Sequence, residues 1–242
     1  MKILVTNDDG IEAIGLQTLV KFAKTLGEVT VCAPAVQQSA KSHAINVHNP
    51  FEVVKVNYPV CGVAAYKVNS TPVDCVRYAM IGLGIKFDLV LSGVNNGYNI
   101  GEDVLYSGTV GCVFEAGLHN TRAIAFSTEH NNGENVQQYI QTAYEFITKN
   151  KLFDYCNVYN VNIPQNVKGS TVVTRQGGAY FTDEFIKTDE THFDQRGYCV
   201  YSYGSDLTLD TDATMNGYIS ITPLTCKRDD EQAYAKIKAT LR

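Results

Sequence analysis

No run of lysine or arginine occurs in these 242 residues: 20 basic side chains are scattered among 25 acidic ones, for a formal net charge of -5. A nucleic-acid footprint needs clustered basic residues, so no polymeric nucleic acid is expected as a partner. A phosphate ligand would have to be held locally, by a metal or by backbone amides. No uncharged apolar stretch is long enough to span a bilayer, and no membrane partner is expected. The opening Met1-Lys2-Ile3-Leu4-Val5 is too short, and too soon followed by Asp8, to read as a signal peptide. Neither a Walker sequence nor G-x-G-x-x-G follows the first strand, which argues against an NTPase or a dinucleotide enzyme. The seven cysteines lack metal-finger or redox spacing, and most sit in apolar runs as small buried hydrophobes would in a reducing cytosol. Internal repeats and low-complexity tracts are also missing. The expectation is a cytoplasmic protein.

What is present is an ordinary apolar fraction of 45%, enough for one large domain or a core with an appended arm. Val5 closes an apolar run, and Thr6-Asn7-Asp8-Asp9-Gly10 reads as a tight turn. Leu16, Leu19, Val20, Ala23 and Leu26 share one helix stripe, stopped at Gly27. Val29–Ala33 is a strand cut by Pro34, and the stretch 44–69 holds further extended ribbons. Thr71 caps a helix with Pro72 at its first position, running to Gly82 or Gly84. Phe87–Leu91 is nearly uniformly apolar, interrupted only by Asp88, as a strand covered on both faces should be. A helix of small residues begins at Ser107-Gly108-Thr109, Ala123–Phe126 is another buried strand, and Val136–Lys149 another helix. The repeated order predicts an α/β fold, a Rossmann-like three-layer parallel sheet over residues 1–155. From about Cys156 the texture turns to strands and polar loops, with helix only in the last dozen residues. Residues 156–242 are therefore expected to form an antiparallel C-terminal extension or arm.

Ligands of an open parallel sheet bind beyond the carboxyl ends of its strands. There the chain puts Asp8 and Asp9 after the first strand, Ser39 after the second and Asn95 after the strand at 87–91. A single aspartate would be read as a helix cap; adjacent carboxylates repel unless a cation or a proton lies between them. Two carboxylates, a hydroxyl and an amide oxygen are hard ligands that suit Mg²⁺, Mn²⁺ or Ca²⁺. Singly, Ser39 reads as a loop serine and Asn95 as a turn former. Ser107-Gly108-Thr109 reads either as an ordinary cap or as an anion seat. His43 could stabilise a leaving oxygen or be a solvated loop histidine, and Glu102 and Asp103 read as a solvated face. No stacking partner for a base stands out among the many Tyr and Phe.

Asn7-Asp8-Asp9-Gly10, Ser39, Thr71-Pro72-Val73-Asp74-Cys75, Ser92-Gly93-Val94-Asn95, Tyr106-Ser107-Gly108-Thr109 and Gly217–Leu224 together resemble the SurE stationary-phase survival family of 5′/3′-nucleotidases. The resemblance implies release of phosphate from nucleoside monophosphates, and in some members trimming of short polyphosphate. It also implies one divalent cation per subunit (Mg or Mn) and an arm exchanged in dimers or tetramers. It puts the metal ligands on Asp8, Asp9, Ser39 and Asn95. Phosphate contacts fall on Asn99 and Ser107, with Asn95, Gly108 and Thr109 adjoining. The sequence departs from the family pattern at Ala40, where glycine is frequent, and at Gln195 in Asp194-Gln195-Arg196-Gly197. Two rival readings share the paired acids. A phosphoaspartyl enzyme would need a third aspartate where this chain has Ser92 and Asn95, and a non-catalytic nucleotide or metal sensor would use the same site without turnover.

Overall fold

In the computed structural model, which describes residues 1–133 and 136–241, strand and helix alternate over the first two thirds of the chain. The order is β1 (Lys2–Thr6), α1 (Ile14–Ala23), β2 (Glu28–Pro34), β3 (Val53–Val56), β4 (Ala64–Val68), α2 (Pro72–Arg77), β5 (Leu89–Asn96), α3 (Gly108–Leu118), β6 (Arg122–Thr128), α4 (Gln137–Lys149) and β7 (Val158–Ile163). Then come β8 (Thr171–Val173), β9 (Phe181–Lys187), β10 (Phe193–Cys199), α5 (Asp210–Met215), β11 (Ile219–Pro223) and α6 (Glu231–Thr240). Among the described residues, nine strands form one sheet in the order β3-β4-β2-β1-β5-β6-β7-β11-β8. The six from β4 to β7 are mutually parallel, and β3 joins one edge antiparallel.

The alternation of the strands builds both cores. Ile3, Val5, Leu89, Leu91, Ile124 and Phe126 face α1 and α4 on one side. Leu4, Val90, Ala123 and Ala125 face α2 and α3 on the other, together with the fully buried thiols Cys32, Cys75 and Cys112. Side chains pointing alternately to two apolar layers explain why these strands read as unbroken apolar runs. The result is the three-layer α/β sandwich that the sequence predicts. Thr71 caps α2 by accepting from the Asp74 amide at 3.1 Å, and the coil then widens through Tyr78–Gly82, the stretch expected to end that helix.

Three particulars differ from the sequence reading. β5 runs on through Asn96 rather than ending at Leu91, because the polar continuation stays paired to β6 across a register shift between Ser92 and Asn95. Beyond Cys156, β7 is a parallel strand of the main sheet, and β11 pairs with it antiparallel. Only β9 and β10 form a separate antiparallel pair, exposed along most of its length. Lastly, helix is not confined to the last dozen residues. The six-residue α5 has no amphipathic period; its polar side chains are buried because they bind backbone, Asp210 taking the amides of Gly101 and Gly177.

Candidate active site

The strand order reverses direction at the β1–β5 pair: from β1 the chain moves outward to β2 and β4, then returns to lay β5 on the other side of β1. Helices leave such a point on opposite faces and open a crevice at the strand ends. A cleft of about 970 Å³ lies there, and Asp8, Asp9, Ser39, Asn95, Asn99 and Ser107 all line it.

Asp8 is buried, and its Oδ1 accepts a hydrogen bond from the Thr109 hydroxyl in the first turn of α3. The same hydroxyl lies 3.4 Å from Asn95 Oδ1. Gly108 lets α3 come this close: a Cβ there would stand 3.0 Å from both Cβ and Oδ2 of Asp8. Asp9 turns the other way, accepting from the Asn96 amide at 3.0 Å and from Gln37 Nε2 at 3.2 Å. β1 ends at Thr6 and the chain bends through Asp8 and Asp9 to Gly10, with φ +100, so the two side chains are freed from opposite faces of a strand. Burial pushes Asp8 up to about 6, with the Thr109 hydrogen bond opposing the rise and the neighbouring Asp9 adding to it. Burial also raises Asp9.

Asn95 Nδ2 donates to the Gly97 carbonyl at 2.8 Å, leaving its oxygen on the Thr109 side. Asn99 is held from below. Its amide donates to Asn162 Oδ1 at 2.9 Å, its carbonyl accepts from Asn160 and Asn162, and its Nδ2 donates to Ser127 Oγ at 2.8 Å. Ser107 Oγ caps α3 by accepting from the Val110 amide at 3.1 Å, so the hydroxyl proton is left to donate elsewhere. Ser39 is exposed in a turn whose next residue, Ala40, has φ +57. That left-handed conformation is the physical reason a glycine suits this position better.

The cleft carries Asp8, Asp9, Glu102, Asp103 and Asp183 but no lysine or arginine among its described residues; His130 is its one basic side chain. Glu102 is solvent-facing, whereas Asp103 is half-buried and accepts from the Phe181 amide at 3.0 Å. His43 does not line the cleft. Its Nε2 sits 2.9 Å from Glu115 Oε2, and Arg77 donates to the other carboxylate oxygen at 2.7 Å. These bonds outweigh burial and leave Glu115 below the ordinary carboxylate range. Asn160, Asn162 and Ser127, which fix Asn99, escaped the sequence reading. Their signal was polar side chains within otherwise apolar strands: Ser127 near the end of β6, and Asn160 and Asn162 inside β7.

The model of the family described as survival protein SurE matches residues 3–183. The chain belongs to the SurE family. It is 35% identical to a protein of Acinetobacter baumannii (strain SDF) named 5'-nucleotidase SurE, over the whole of both chains. A protein of the same name from Clostridium botulinum (strain 657 / Type Ba4) is 36% identical, over 93% of this chain and 92% of its own. The crystal structure of the SurE protein from Aquifex aeolicus superposes with a TM-score of 0.81, at 29% identity and full coverage of both chains. Among the described residues no helix is long and apolar enough to cross a membrane.

Proposed function

We propose that this chain is a phosphatase that hydrolyses nucleoside monophosphates, at the 5′ and the 3′ position, with a divalent cation (Mg²⁺ or Mn²⁺) held by Asp8, Asp9, Ser39 and Asn95. The observation that carries this reading is the charge of the cleft. A phosphate ester entering among five carboxylates, with no lysine or arginine to meet it, needs a cation to offset the repulsion. The donors fit a hard cation: two carboxylates, a hydroxyl, and an amide oxygen whose nitrogen is already committed to Gly97. When bound, such a cation supplies charge neutralisation and Lewis-acid polarisation of the phosphoryl group.

The remaining work falls to the chain itself. The Ser107 hydroxyl and the free amides opening α3 bind phosphate oxygens, aided by the positive end of the helix dipole. Asn99 offers its second amide proton, and its four hydrogen bonds keep that donor fixed in advance. Thr109 orients Asp8, while Asn96 and Gln37 orient Asp9, so neither carboxylate has to reorganise as substrate arrives.

Short polyphosphate as a further substrate, a dimer or tetramer built through the β9–β10 arm, and a cytoplasmic location belong to the same proposal. Support for the arm is its exposure, with Phe185 and Phe193 facing solvent; support for the location is the seven unpaired cysteines. Phosphate release from AMP, GMP, a 3′-monophosphate and tripolyphosphate, with and without Mn²⁺ or Mg²⁺, tests it. Cation-dependent release from the mononucleotides is expected. No release with any metal would favour a nucleotide sensor, and a phosphorylated protein trapped in turnover would favour transfer through an aspartate.

A further inference from the structure

The hydrolytic site leaves two aromatic side chains of the cleft unused. Tyr106 immediately precedes Ser107 and is 63% exposed; Phe181 opens β9 and is 48% exposed. In a cleft otherwise lined largely by carboxylates, amides and hydroxyls, they are the broad apolar faces. Leaving such rings in water forgoes their burial, unless a ligand covers them.

Phe181 is also held in place relative to the phosphate seat. The segment before β9 is stitched to the turn that precedes Ser107: Phe181 N donates to Asp103 Oδ2 at 3.0 Å, Glu102 N to the Gly178 carbonyl at 3.3 Å, and Gln176 Nε2 to the Gly101 carbonyl at 2.9 Å. Asp210 clamps both sides, accepting from Gly101 N at 3.1 Å and Gly177 N at 2.7 Å. The backbones touch so closely that a Cβ on Gly101 would lie 2.0 Å from the Gly178 oxygen. The Phe181 ring rests edge-on against Tyr180, centroids 4.8 Å apart. A hairpin otherwise open to solvent is thus fixed where it borders the cleft.

We propose that Tyr106 and Phe181 form a stacking platform for the base of the nucleotide, placed so that the phosphate of the same molecule reaches Ser107 and Asn99. The inference rests on reading the cleft as a nucleoside monophosphate phosphatase. It names the part of the substrate that the acidic, amide-rich surface cannot otherwise recognise: a flat, neutral ring that suffers no repulsion from carboxylates. Purines, with the larger face, stack more strongly than pyrimidines.

The platform and the phosphatase reading are tested separately. Adenosine has the base and no phosphate, and calorimetry of the wild type, Phe181→Ala and Tyr106→Ala reads the platform without turnover. Removing one stacking partner is expected to weaken adenosine binding about five- to a hundredfold, with Phe181→Tyr restoring it. In kinetics, the ratio of kcat/KM for AMP over ribose 5-phosphate is expected to fall by a similar factor, through KM. Unchanged adenosine affinity in both alanine variants overturns the platform. Adenosine binding that responds as expected, in a protein that hydrolyses neither AMP nor ribose 5-phosphate, overturns the phosphatase reading instead.

Discussion

The hydroxyl of Thr109 donates to Asp8 across 101 residues of chain, joining the end of the first strand to the start of α3. One hydrogen bond therefore links the candidate metal site to the candidate phosphate seat. It also holds a carboxylate that burial drives toward its neutral form.

That tension has a measurable sign. Asp8 is pushed up to about 6 in the folded protein from an ordinary value near 3.8. Without a cation, the folded state is favoured below about pH 4 and loses that advantage as pH rises through about 6. The shift corresponds to roughly 3 kcal/mol at neutral pH. Asp8→Asn keeps an acceptor for Thr109 and removes the charge. In EDTA it is expected to be more stable than the wild type at pH 7.5, by about 1–3 kcal/mol, with a much smaller gain at pH 4.5. Urea melts at the two pH values decide it, and a variant no more stable at pH 7.5 than the wild type would refute the assignment.

Gly108 matters for what it lacks. A Cβ there would press within 3.0 Å of Asp8 and 3.2 Å of the Pro72 ring. Gly108→Ala is expected to displace Asp8 and lower turnover about tenfold or more, since small misplacements of a catalytic group cost that much or more. Far-ultraviolet circular dichroism should stay that of the wild type. Wild-type turnover would show that the contact relaxes harmlessly.

Glu115, 4% exposed at its side chain, is the hub that ties Arg77 and His43 to α3. Because its hydrogen bonds hold it below the ordinary carboxylate range, it contributes stability that is present above the unfolded value of about 4.5 and lost as pH falls below it. Glu115→Gln is expected to cost about 1–3 kcal/mol at pH 7, a range that allows for the partial exposure of Arg77. Thermal denaturation at pH 7 and pH 4 should show the deficit shrinking at the lower pH. An equal deficit at both would point to packing rather than charge.

Much of this was legible in the sequence. Apolar runs alternating with amphipathic or capped helical stretches specify a parallel sheet, and position after a strand singled out Asp8, Asp9, Ser39 and Asn95. What escaped were relationships created by packing. Nothing local marks Asn162 as the acceptor for the Asn99 amide, 63 positions away. Likewise, the polar run of α5 becomes helical only because its carboxylates find buried amides in other segments. His43, close to Ser39 along the chain, was drawn away from the cleft by a glutamate 72 residues distant. Phe181 had no motif to identify it, and the stitching of its segment to the turn at Gly101 holds it where it lines the candidate cleft.

The most direct test is steady-state release of phosphate from AMP by the wild type and by Asp9→Asn, each across a titration of Mn²⁺, with melting followed in parallel. Turnover that requires the cation, and falls at least about a hundredfold in a variant that melts no lower than the wild type, is the predicted result. Near-normal turnover by Asp9→Asn, or undiminished wild-type activity in EDTA, would contradict a cation-dependent site built on Asp8 and Asp9.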